Sequence, residues 1–124
     1  MIPPSDDRFR RSVDRLTTLL SYWTPPRFSA AASPLIGETV TALCATTRSA
    51  ADNGVSIADH LHVVVQVLAD LGADAEGRPR RVVQRLGDPG GLVDQLTVLS
   101  NDVIAAGAAT DELTDRLDAL RAAL

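Results

Sequence analysis

The chain contains no lysine: its 12 basic residues are all arginine, and 13 of its 16 acids are aspartate. Schiff-base chemistry and a tuned amine base are therefore excluded, and every cation carries a delocalised, permanently charged head. A single cysteine, Cys44, rules out an intramolecular disulfide framework and a metal site built from thiolates alone. A lone cysteine also fits a reducing compartment, so the expected location is the cytoplasm. No run of about 18 uncharged apolar residues occurs, and the opening MIPPSDDRFRR lacks the apolar centre of a secretory signal, so no membrane association is expected. GxGxxG, P-loop, HExxH, GxSxG and EF-hand patterns are missing, and with them the usual signatures of nucleotide, metal and acyl-transfer chemistry. Aromatics are scarce as well: Phe9, Tyr22, Trp23 and Phe28 are the complete set, all near the N-terminus.

What the chain does hold is an ordinary globular balance, 45% hydrophobic and 23% charged over 124 residues. That length suits one domain, 1–124, and the charge density argues against disorder. The net charge of −4 disfavours bulk attraction to nucleic acid or anionic lipid.

Apolar residues recur at helical spacing throughout. Ser5 is positioned to cap a first helix, with Asp6 and Asp7 in its first turn and Phe9, Val13, Leu16, Leu20 and Trp23 as its stripe. Pro25-Pro26 stops it, and 24–33 reads as a linker. Ser33-Pro34 restarts the chain as a second helix running to about Asp52, with Ile36, Val40, Leu43 and Cys44 inward and Asn53-Gly54 as its stop. Ser56 and Asp59 form an approximate capping box for a third helix, apolar nearly all round through Leu61, Val63, Val64, Val65, Val67 and Leu68. Residues 73–77 read as a turn, 78–86 as a short arginine-bearing helix, and 87–91 as a break. Leu92, Leu96, Leu99 and Val103 mark a further helix closed by Gly107, and Thr110 is placed to cap the last, with Leu113, Leu117, Leu120 and Leu124. The expected fold is an all-α bundle of about five helices plus one short one, its neighbours mainly antiparallel.

Function is written less clearly. Phe9, Tyr22, Trp23 and Phe28 either clamp onto their own bundle or, swung out on the Pro-Pro hinge, anchor a second protomer or another protein. The leucine face of the last helix, Leu113, Leu117 and Leu120, is a second candidate interface. Arg78, Arg80, Arg81 and Arg85 lie in a segment without acids, whereas 34–77 and 88–124 each sum to −5. Guanidinium groups so gathered suit an anion or the mouth of a small-ligand pocket between helices. Residues 66–86 also carry a weak helix-turn-helix pattern, with a turn longer than usual and a proline opening the second helix.

His60 and His62 stand about 200° apart on a helix and cannot share one metal from it. Asp59, His62, Gln66 and Asp70 form a polar stripe that reads as a solvated face, and His60 reads as a hydrogen-bonded boundary residue. Cys44, on an apolar stripe, reads as a small hydrophobe. No catalytic residues, metal or cofactor are assigned. The expectation is a binding or interaction module, self-associating or joined to another protein, with a small-ligand carrier as the alternative and a nucleic-acid binder as a further one.

Overall fold

The computed structural model describes residues 4–49 and 54–124. Among these residues six helices form an all-α bundle: α1 (Pro4–Ser21), α2 (Pro25–Ser29), α3 (Pro34–Thr47), α4 (Ile57–Glu76), α5 (Pro89–Ala105) and α6 (Asp111–Ala123). Among the described residues no helix is long and apolar enough to cross a membrane.

The periodic stripes become the core. Phe9, Leu16 and Leu20 of α1, Leu43 of α3, Leu96 of α5 and Leu117 and Leu120 of α6 are buried together with Val63, Val64, Val65 and Val67 of α4. Each such side chain contributes about 1.5–3 kcal/mol on leaving water. The helices close a ring around this core: α4 packs on α3 and α5, α5 on α1, α1 on α6 and α6 on α3, with α2 against α4.

Helix ends follow local chemistry more often than not. Ser33 accepts a hydrogen bond from the Ile36 N–H at 3.3 Å, and Ser56 and Asp59 complete a reciprocal capping box. Three ends differ from expectation. α1 already includes Pro4, so Ser5 is inside it, and Thr110 donates its hydroxyl to the Ser5 carbonyl at 3.3 Å instead of capping α6. α3 stops at Thr47, where Arg48 takes a left-handed φ of 54°, short of the expected Asp52. The expected stop at Asn53 lies outside the described residues. The linker 24–33 contains α2, which Pro25 nucleates at its first turn.

The larger correction concerns 78–86. It is an extended strap, not a short helix, and α4 continues through the expected turn until Gly77 ends it at φ 68°. Helix directions explain why. Ala32 donates to the Val55 carbonyl and Ile57 to the Ala30 carbonyl, each at 2.9 Å, pinning the start of α3 beside the start of α4. Ser49 and Asp70 join their far ends at 2.7 Å, so α3 and α4 run parallel. Arg85, just before α5, pairs with Asp59 at the start of α4, whereas Leu99 and Asp102 later in α5 share a cleft with Leu68 and Gly72 of α4. α5 is therefore parallel to α4 as well.

The connection must then travel the full length of α4, whose 20 residues rise about 30 Å. Ten extended residues reach about 33 Å. Nine helical residues would cover only about 14 Å, so the chain stays extended despite its helix-compatible sequence. α1 and α6 also run together, joined by Arg8 to Asp115 at 3.1 Å and Ser12 to Asp118 at 2.7 Å. Only between these two groups, at α1 against α5 and α3 against α6, are neighbours antiparallel.

Candidate functional site

The strap crosses the α4 and α5 surface under tight control. The Gln66 carboxamide accepts from the Val83 N–H at 2.8 Å and donates to the Arg81 carbonyl at 2.9 Å, and Gln95 of α5 donates to the Gln84 carbonyl at 3.0 Å. Val83 turns inward against the core, and Val82 is left 92% exposed.

Three of its four arginines are engaged within the chain. Arg78 binds Glu76 at 2.8 Å, and Arg85 pairs with Asp59. Arg80 reaches Asp74 at 2.6 Å, the Thr47 and Arg48 carbonyls at 2.6 and 3.1 Å, and lies 3.6 Å from Asp70. It thus ties the C-terminal end of α3 to α4, where a cation suits both the free carbonyls and the helix dipole. Arg81 alone of the four makes no side-chain hydrogen bond or ion pair among the described residues. The anion reading of Arg78, Arg80, Arg81 and Arg85 is reduced accordingly. The 210 Å³ cleft beneath the strap adds Asp102 to Arg78 and Arg81, so its walls carry little net positive charge. With 78–86 extended, the second helix of the helix-turn-helix pattern is absent.

The polar stripe of α4 is not a solvated face along its whole length. Asp70 is 5% exposed and accepts from Ser49 at 2.7 Å and Gln66 at 2.9 Å, with Arg80 nearby. A buried carboxylate persists when its lone pairs are filled in this way. Asp59 is held well below the usual carboxylate range, first by the Ser56 N–H and then by Arg85. Arg80 likewise lowers the Asp74 carboxyl, and that same contact raises the guanidinium.

Nothing here resembles a nucleophile centre. The Cys44 thiol is buried and its pKa is raised, mainly by burial and further by the Asp70 charge, the reverse of what activates a thiolate. His60 is buried with Nδ1 2.9 Å from the Ser56 carbonyl. Among the described residues no group of three or more His, Cys, Asp and Glu is placed to hold a metal.

The aromatic segment builds the more open feature. Pro25-Pro26 turns the chain between α1 and α2, so Trp23 and Phe28 fold together edge to face, with ring centroids 5.2 Å apart. The Arg27 guanidinium lies 4.2 Å from the Trp23 ring centroid. Because α1 is antiparallel to α5, this corner meets the first turn of α5 and leaves a groove of about 390 Å³. Trp23, Pro25, Phe28 and Pro89 form its apolar walls, and Asp88 and Asp94 are the charged residues that line it. Trp23 is 9% exposed, and its indole N–H is buried with no acceptor among the described residues.

Phe9, Trp23, Phe28, Leu113, Leu117 and Leu120 are all covered by this chain's own core, and α1 and α3 pack on α6. Tyr22, at 83% exposure, is the member of the expected interface set left at the surface. The structure thus gathers Tyr22, Trp23 and Phe28 at one corner and keeps Leu113, Leu117 and Leu120 of α6 inside the core. Asp88 and Asp94 were missed, because a cap and a helix-surface aspartate look ordinary until α1 is laid across them.

No protein-family description matches the chain, and no curated protein or solved structure is similar enough to be matched to it.

Proposed function

We propose that this protein is an interaction module that holds an extended segment of a polypeptide partner in the groove between Trp23, Phe28 and the start of α5. The observation that supports the reading is the groove itself, about 390 Å³ walled by Trp23, Pro25, Phe28 and Pro89, with Asp88 and Asp94 supplying its charge. Aromatic and proline walls match the flat faces of an extended peptide, which enters with little ordering cost. Tyr22, exposed beside Ser21 and Trp23, is suited to extend the contact outward.

A photo-crosslinking residue at Tyr22 tests this in cells, with mass spectrometry of the adducts. Discrete adducts that map to a peptide segment, and that vanish with Asp94→Arg in the groove wall, are the expected result. Adducts indifferent to Asp94→Arg, or none above the level of a crosslinker on the α6 surface at Ala119, would remove the proposal.

A further inference from the structure

Resting on that reading, we infer that the groove's occupant is the arginine strap of a second copy of this chain. The groove is acidic: Asp88 and Asp94 line it, and none of its lining residues is basic. It therefore selects a cationic segment with an apolar neighbour. The strap presents that combination. Arg81 is the strap arginine without a carboxylate partner among the described residues, and Val82 beside it is 92% exposed. The strap is also already extended, held so by both glutamines, so little conformational freedom is lost on docking.

The same pins prevent the strap from reaching the groove of its own molecule, since Gln66 and Gln95 fasten it along α4 and α5. Docking is consequently between copies, with Arg81 toward Asp94 and Val82 against the Pro25 and Pro89 walls. Groove and strap are different surfaces, so the contact is head to tail and builds closed rings or short chains. An ion pair at its rim makes it weaken with salt.

Sedimentation velocity across a concentration series, at low and high salt, tests the inference with the whole chain. The wild-type protein should associate as concentration rises, and less so in high salt. Arg81→Glu and Asp94→Arg should each lower association at least tenfold. An equimolar mixture of the two variants should restore it, because the reversed strap of one matches the reversed groove of the other and their unaltered surfaces still match. Both positions are exposed, and circular dichroism confirms that each variant folds; Arg81→Ala and Asp94→Asn serve if either does not. A wild-type protein that stays monomeric at millimolar concentration, single variants that associate like wild type, or a mixture that fails to recover would each overturn the inference. Tyr22 adducts to a different protein, with no self-association, would retain the interaction module and remove the second copy as its partner.

Discussion

Gln66 and Val83 are joined as if they belonged to neighbouring strands: a side-chain amide from α4 accepts the backbone N–H of the strap at 2.8 Å while its NH₂ serves the Arg81 carbonyl. One carboxamide thus satisfies two peptide groups that no second strand is present to pair.

Gln66→Glu separates the two halves of this clasp. It keeps an acceptor for Val83 but loses the NH₂ that serves both the Arg81 carbonyl and Asp70 and sets a second carboxylate against Asp70, so it should cost about 2–3 kcal/mol, and Gln66→Leu, which loses all three bonds without that repulsion, about 1–3 kcal/mol. Chemical denaturation gives the magnitudes. Hydrogen exchange at the Val83 amide should quicken in the leucine variant while the α4 amides around Val64 stay protected; unchanged exchange at Val83 would show that the strap is held by other contacts.

Arg80 holds the end of α3 to α4 through the Thr47 and Arg48 carbonyls and Asp74. Because the side chain is about a third exposed, its ion pairs are partly screened, and Arg80→Ala should destabilise by about 1–2 kcal/mol. Arg80→Lys should recover only part of that, since an ammonium cannot span the same set of acceptors. Equal stability of the lysine variant and wild type in urea unfolding would show that charge alone suffices.

Acid should unfold the protein partly through Asp59. Its folded pKa is depressed by the Ser56 N–H and Arg85, so its contribution is complete above the unfolded value of about 3.9 and fades as pH falls below it. Asp59→Asn should therefore be less stable than wild type at pH 7, with the gap closing below about pH 4. Thermal melts at a series of pH values check this, and a gap of constant size would assign the difference to capping geometry alone.

Cys44 should resist labelling. At 2% exposure and with its pKa raised, the thiol should react with a disulfide reagent only when the bundle opens. Its labelling rate should rise with urea in step with global unfolding. Rapid modification in native buffer would place a local opening at α3.

The helices themselves were legible because burial needs one apolar stripe per element, and Phe9, Val13, Leu16 and Leu20, or Leu113, Leu117 and Leu120, show theirs by spacing alone. The Ser33 and Ser56 caps were legible for the same reason: their partners lie within three residues. Asp70 was not. Its acceptance of Ser49, 21 residues away, converts what reads as a solvated stripe into a buried knot.

Local periodicity and local capping are properties of neighbours along the chain, so the residues specified an all-α bundle before any packing was known. The direction in which helices lie is a property of distant contacts. Parallel packing of α4 and α5 obliged 78–87 to span about 30 Å and therefore to extend. It also spread Arg78, Arg80 and Arg85 onto carboxylates of α4. Antiparallel packing of α1 on α5 placed Asp88 and Asp94 beside Trp23, and so made an acidic groove from residues more than sixty positions apart.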